Sequence, residues 1–207
     1  MTSSELIKSF DKAKEESRSA LLTYTVGGDP DKKSSLEIFR SIAQAGVDII
    51  ECGLGHGANI GDGGAIQDST YRALSGGIKT NDVFDIIKEF KNEYDKSVII
   101  ITYQNKIMSY GEDNFLTRCL ESKISGIICV DWPWPLNLSF ADKCKKNHIS
   151  FIQLLCPTTS EERLKKILND AHDVVYYISM LSITGQDLKV STTEIKKKFN
   201  LIKSISP

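Results

Sequence analysis

Two carboxylates, Glu51 and Asp62, lie close together in the sequence and have the chemistry for proton transfer. Glu51 ends the apolar, β-branched run 47–50, which predicts a strand with Glu51 on the same face as Val47 and Ile49. Burial there should raise the pKa of Glu51 toward neutrality, as a general acid or base requires. Asp62, on a wetter glycine-rich loop before a helical pattern, should stay ionised. The segment leaves an alternative open, in which Glu51 faces water and Asp62 only forms an Asp-Gly turn.

Composition limits the classes of protein that this chain can represent. Its 207 residues are 41% hydrophobic with a net charge of -1, enough for one substantial core and without the basicity that nucleic acid or an anionic membrane requires. The five cysteines have no CxxC spacing, which argues against a disulfide framework and against a zinc site. We therefore expect a cytoplasmic protein with buried thiols, no bound metal, and no nucleic-acid or membrane partner.

Short apolar runs alternate with charged segments of helical period, and no linker interrupts them. The pattern over 1–18, with Thr2 and Glu5 as a capping box, predicts a helix and not a signal peptide. We expect a single domain over 1–207, with this helix followed by six βα units from 20–207. The predicted strands are 21–26, 47–52, 98–103, 126–130, 150–155 and 174–179. The predicted helices include 32–45, 81–94, 114–122, 139–147, 160–169 and 192–205.

Six βα units in succession predict a parallel sheet with right-handed crossovers. The sheet is either an open, doubly wound layer or part of a barrel, and both place chemistry at the carboxyl ends of the strands. The absence of a GxGxxG or GxxxxGK[ST] pattern removes the usual nucleotide fingerprints and favours the barrel. After the fourth strand, Trp132 and Trp134 alternate with prolines, and this stiff loop either caps the barrel or offers an exposed binding spot.

From about residue 21 onward the chain resembles the tryptophan synthase α subunit family. The resemblance depends on markers that occur in the family's order and spacing. They are Gly28-Asp29-Pro30, Ala45-Gly46-Val47-Asp48 with Glu51-x-Gly53, Asp62-Gly63 with Ile66-Gln67, Arg72-Ala73-Leu74-x-x-Gly77, Tyr103-x-Asn105, Asp131-x-Pro133, and Ser179 with Ile183-Thr184-Gly185.

The resemblance implies an α/β fold, the (β/α)8 TIM barrel, with about six of its eight units in this chain. It also implies a lyase of tryptophan biosynthesis that cleaves indole-3-glycerol phosphate to indole and glyceraldehyde 3-phosphate without a metal or cofactor. In that reaction Glu51 would shuttle protons between indole C3 and the glycerol hydroxyl. Asp62 would polarise the indole N–H, because indole is a poor leaving carbanion and electron density must be drawn out through nitrogen.

The same resemblance implies further substrate-binding residues. Tyr24 and Tyr103 would wall the aromatic pocket, and Tyr176 would hold Glu51 or the substrate tail. Thr184 would close over Asp62 in the loop that also contains Gly185. Each tyrosine has an alternative as a half-buried aromatic at a strand end. The histidines receive no role: His56 is interpreted as a solvated loop residue, and His148 and His172 fall in helix-to-strand connections on the opposite face.

The resemblance also implies a tryptophan synthase β subunit as partner, in an α2β2-type heterotetramer. Two departures from the family keep a second function class open. The loop 55–64 lacks the family's prolines and its first aspartate, and the chain ends where the family enters strand seven, so we expect a truncated chain without the phosphate site of the last two units. The alternative to an active lyase subunit is a catalytically weak or silent relative that only docks on a partner.

Overall fold

The computed structural model describes residues 4–179, 181–185 and 190–206. Strands and helices alternate along the chain in the predicted order, with boundaries that differ from the predictions by one or two residues at most of the ends. The helices are α1 Glu5–Glu15, α2 Lys32–Gln44, α3 Gly64–Ser75, α4 Thr80–Glu93, α5 Gln104–Tyr110, α6 Glu112–Glu121, α7 Leu138–Lys146, α8 Glu161–Asp170 and α9 Thr192–Ile205. The strands are β1 Leu22–Val26, β2 Ile49–Gly53, β3 Ser97–Thr102, β4 Gly126–Cys129, β5 Ser150–Phe151, β6 Gln153–Leu155 and β7 Val175–Tyr177.

All paired strands run parallel, and their spatial order follows their sequence order. The first five form one sheet in the order β1-β2-β3-β4-β5, and β6 pairs with β7. The predicted strand 150–155 is therefore split, since its first half pairs with β4 and its second half with β7. Between the halves, the Ile152 N–H still donates to the Ile127 carbonyl at 2.9 Å. At Ile152 the chain thus changes its pairing partner from β4 to β7, which continues the sheet around the wall of a (β/α) barrel.

The two faces of the strands belong to different cores. Along β3, Ile99 packs in an inner cluster with Ile49 and Ile128, while Ile100 packs in an outer cluster with helix residues such as Phe84. Successive strand side chains point to opposite faces, so nearly continuous apolar runs are buried on both sides. Helices cover the outer face, which leaves the inner face and its strand ends to form the site.

Helix α1 lies against the amino-terminal end of the inner core. Its Leu6 is fully buried in the inner cluster, and the Glu5 carboxylate pairs with the buried Lys91 and accepts a hydrogen bond from Ser125 Oγ at 2.6 Å. The predicted capping box is wrong, since Ser4 is the N-cap and accepts the Ile7 N–H. Glu5 holds the helix to the barrel instead, and Thr2 lies outside the described residues.

Helix α5 has no counterpart among the predicted helices, because its seven residues are too few to show a helical period. The Trp132–Trp134 loop is a packed cap: Trp132 stacks on Phe140 with 5.3 Å between ring centroids, and Arg163 lies 5.3 Å from the Trp134 ring centroid. Among the described helices, none is both long enough and apolar enough to cross a membrane.

Candidate functional site

Glu51 lies near the carboxyl end of β2 and faces the inside of the barrel wall. It is aligned with Tyr24 of β1 and Ile99 of β3, and only 6% of its surface is exposed. Its Oε1 atom is buried and has no hydrogen-bond partner among the described residues. Burial raises the pKa of the Glu51 carboxyl above its ordinary value. The alternative in which Glu51 faces water is therefore wrong, and the predicted direction of the pKa shift is confirmed.

Asp62 lies in the loop that joins β2 to α3, and short-range hydrogen bonds hold this loop. The Asp62 N–H donates to the Asn59 carbonyl at 3.1 Å, and Gln67 Nε2 donates to the Asp62 carbonyl at 2.7 Å. The carboxyl is half-buried, and burial raises its pKa while the Asn59 side chain opposes the rise. The sequence predicts a well-solvated loop here, but Asp62 lines a pocket with Tyr24 and Tyr103, which removes part of that solvation.

A pocket opens beside Asp62 at the carboxyl ends of the strands. His56 lies over Tyr103 in this pocket, with 4.7 Å between the ring centroids and 34° between the ring planes. His56 is therefore part of an aromatic wall and not a solvated loop residue. The position of His56 between Glu51 and Asp62 in the sequence is the signal that could have placed it at the site. The direction of its side chain cannot be inferred from the sequence. The lining residues are Tyr24, Leu54, His56, Asn59, Asp62, Thr70, Ile101, Tyr103 and Val130.

Tyr24 connects the two carboxylates. Burial raises the pKa of its hydroxyl, and the negative charges of Asp62 and Glu51 add to that rise, so both acids lie within electrostatic reach of one side chain. The Tyr24 hydroxyl also passes close to Gly53, where an added Cβ would lie 2.1 Å from the oxygen. The glycine at the end of β2 is thus needed for the position of Tyr24.

Tyr103 and Tyr176 face the site from other strands. Tyr103 follows β3 and is 9% exposed, and burial together with the charge of Asp62 raises the pKa of its hydroxyl. Tyr176 lies in β7, where burial and the charge of Glu51 raise its pKa. It shares a strand face with Val174, which packs against the inner core. Each predicted tyrosine therefore lies within electrostatic reach of at least one of the two acids.

The segment after β7 reaches the Asp62 loop. The Thr184 N–H donates to the Gly61 carbonyl at 3.3 Å, and an added Cβ at Gly63 would lie 1.9 Å from the Thr184 carbonyl oxygen. Gly185 follows with a φ of 86°, a backbone conformation that favours glycine. Both Thr184 and Gly185 are exposed, so the structure places the predicted loop at the rim, beside the residues that flank Asp62.

Other sequence markers support the rim. Asp29 of the first turn accepts two hydrogen bonds from Arg72, from Nε at 2.9 Å and from Nη2 at 2.7 Å, and a third from Ser69 Oγ. Asp131 accepts the Gln104 N–H at 2.7 Å, which joins the end of β4 to the end of β3. These carboxylates link neighbouring loops and do not enter the pocket. No cluster of three or more His, Cys, Asp or Glu side chains suited to a metal ion occurs in the part of the chain that the structure describes.

The fold and the site together define a class. A parallel barrel wall that carries a buried acid, a second acid and an aromatic pocket at its carboxyl ends is the arrangement of a barrel enzyme.

Comparisons with known proteins specify the family. The family model for the tryptophan synthase alpha chain matches residues 10–206. The tryptophan synthase alpha chain of Pelagibacter ubique is 54% identical over 198 residues, which cover 95% of this chain and 74% of that protein. A structure of Mycobacterium tuberculosis tryptophan synthase matches 99% of this chain and 78% of its own, with 25% identity and a TM-score of 0.90. A structure titled for the tryptophan synthase a2b2 complex of Pyrococcus furiosus matches 90% of this chain and 74% of its own, with 33% identity and a TM-score of 0.80.

The chain belongs to the tryptophan synthase alpha chain family. It has that family's TIM-barrel fold and is a lyase subunit of tryptophan biosynthesis. The alternative of a catalytically silent docking relative is not favoured.

Proposed function

We propose that the chain catalyses the retro-aldol cleavage of indole-3-glycerol phosphate to indole and glyceraldehyde 3-phosphate. Glu51 is the acid and base of this reaction, and Asp62 accepts a hydrogen bond from the indole N–H. The observation that carries the proposal is the position of Tyr24, which lies beside Glu51 in the sheet register and lines the same pocket as Asp62. Cleavage of a C–C bond at an indole ring requires two acids near one ligand, and here both acids border the same aromatic side chain of the pocket wall.

The proton balance fits a single shuttling acid. Neutral Glu51 gives its proton to indole C3, and the ring becomes an indolenine-like cation whose N–H is stabilised by the negative charge of Asp62. The Glu51 carboxylate then takes the proton of the glycerol hydroxyl. The bond between C3 and the glycerol carbon breaks, its electron pair returns to the ring as indole forms, and the hydroxyl carbon becomes the aldehyde. Glu51 ends the cycle protonated, as it began.

The environments of the two acids support these roles. Burial of Glu51, whose Oε1 has no hydrogen-bond partner in the described part of the chain, favours the neutral acid that must donate to C3. Asp62 is less buried and lies near the Asn59 side chain, so the charged form that faces indole nitrogen is easier to keep. Tyr24 and Tyr103 wall the pocket and Tyr176 holds Glu51. Thr184 and Gly185 close the rim over Asp62 once the substrate is bound.

We propose further that the chain works with a tryptophan synthase β subunit in an α2β2-type heterotetramer, by analogy with the Pyrococcus furiosus complex. In this proposal residues 1–207 act as one domain, and the reaction takes place in the cytoplasm. The free thiols of the chain, such as the buried Cys52 and Cys119, suit a reducing compartment.

Indole release tests the catalytic assignment. Glu51→Gln keeps the size of the side chain but cannot transfer a proton, so we expect turnover of indole-3-glycerol phosphate to fall by about 10²–10⁴-fold. Asp62→Asn loses the charge that faces the indole nitrogen and should also lose most of the activity. Indole is measured by a discontinuous colorimetric assay, with the β subunit absent and present.

The matched control is Glu15→Gln, since Glu15 is an exposed carboxyl on α1 at the opposite end of the barrel. The control should keep the parental rate. Glu51→Gln with near-parental turnover and unchanged substrate saturation would show that Glu51 is not the acid and base.

A further inference from the structure

Asn59 is a pocket residue that neither gives nor takes a proton in the proposed reaction. It lines the same pocket as Asp62, and its side-chain Nδ2 is buried. No described residue accepts a hydrogen bond from Nδ2 with good geometry. An amide N–H that has lost water and found no acceptor is unfavourable, so such a donor indicates an acceptor that arrives later.

The Asp62 carboxylate is the candidate for that acceptor. The two residues belong to one turn, closed by the hydrogen bond from the Asp62 N–H to the Asn59 carbonyl at 3.1 Å. The Asn59 side chain already lowers the pKa of Asp62 against the effect of burial, although the Nδ2 geometry is short of a full hydrogen bond.

The other described groups that face Asp62 carry no fixed positive charge. They are His56 on the same loop, Tyr24 of β1 and Tyr103 after β3, while Thr184 contacts the neighbouring Gly61. Within residues 4–179, 181–185 and 190–206, no Lys or Arg forms an ion pair with Asp62. A neutral donor is therefore the means available to hold this half-buried carboxylate in its charged form.

We propose that Asn59 is a positioning residue for Asp62. The buried side-chain N–H of Asn59 donates to the Asp62 carboxylate when the pocket closes on its ligand. The bond would orient the carboxylate toward the indole nitrogen and keep it ionised. This inference rests on the proposed function for its purpose, but its physical content is a contact between two side chains that can be measured without turnover.

The direct test is the titration of Asp62 by carbon-detected NMR of the folded chain, with and without indole. Asn59→Ala removes the donor and should raise the pKa of Asp62 by about one unit in the presence of indole. Asn59→Asp, of nearly the same shape, removes the donor and adds a charge, so it should raise the pKa further. Ile60→Ala is the control, because Ile60 is the next residue in the loop and is 83% exposed.

Kinetics give a second measurement, the pH profile of kcat/KM, which would not change if Asn59 had only a structural role. The acid limb of the pH profile of kcat/KM should shift to higher pH in Asn59→Ala by the same amount as the pKa of Asp62. Because the carboxylate also loses its orientation toward the indole nitrogen, we expect kcat at neutral pH to fall about tenfold with a smaller change in KM. Thermal unfolding of each variant shows whether the fold is kept, and the near-isosteric Asn59→Asp serves if Asn59→Ala unfolds.

The outcomes separate the two proposals. An unchanged pKa of Asp62 and an unchanged acid limb in both variants, with only KM raised, would overturn the positioning role. If the parent chain and its complex with the β subunit release no indole, the proposed function fails. A raised pKa of Asp62 in Asn59→Ala would still support the contact in that case.

Discussion

Removal of the charge of Glu51 should make the protein more stable. The carboxyl is 6% exposed, and one of its oxygens has no hydrogen-bond partner among the described residues. A buried charged group with an unsatisfied atom costs about 1–3 kcal/mol. We therefore expect Glu51→Gln to raise the free energy of unfolding by about 1–2 kcal/mol at pH 8. In a chain of this size each kcal/mol corresponds to a rise in Tm of roughly 2–4 °C.

The pH dependence identifies the cause. The folded pKa of Glu51 lies above the ordinary value of 4.5, so the unfolded chain loses this proton first as the pH rises. The stability contributed by the neutral acid is present below about pH 4.5 and is lost as the pH rises through the folded pKa. The advantage of Glu51→Gln should accordingly grow from pH 4.5 to pH 8 and then level off.

Urea unfolding followed by circular dichroism, at pH 4.5, 6, 7 and 8, measures this difference for the parent, Glu51→Gln and the exposed control Glu15→Gln. The control should track the parent at every pH. A stability difference that does not vary with pH, or a parent that is more stable than Glu51→Gln at pH 8, would refute the link between burial of Glu51 and its raised pKa.

Two further predictions concern the surroundings of the site. Gly53→Ala would place a methyl carbon 2.1 Å from the Tyr24 hydroxyl, so it should displace the ring and lower kcat/KM for indole release by about tenfold or more. The control is Gly57→Ala, because no atom of the described residues lies within 4 Å of a Cβ added there, and equal kinetics for the two variants would contradict the reasoning. Asp48, held by Arg18 and with its pKa lowered to about 2, should stabilise the fold above pH 3.8 and lose that effect as the pH falls toward 2. Asp48→Asn should cost about 1 kcal/mol at pH 7, since Arg18 is partly solvated, and almost nothing at pH 2, as urea unfolding at both pH values would show.

The sequence determined most of the elements that position the site. Runs of β-branched residues between charged helical segments predict the strands, and the alternation of side chains along a strand places Glu51 on an apolar face whatever the neighbours are. The helix predicted over 192–205 is confirmed as Thr192–Ile205. The markers of the α subunit family identify the chain because they are local in sequence and need no contact information.

Tertiary structure decided what depends on neighbours that are distant in the chain. Strand 150–155 is split because its two halves pair with different strands, and no local pattern encodes a change of partner. The burial of Asp62 depends on Tyr24 and Tyr103, which lie far from it in sequence, and His56 becomes a wall residue only because Tyr103 ends a neighbouring strand. Side-chain type and spacing set which groups can react, whereas the solvation that sets their pKa values exists only once the barrel brings its strand ends together.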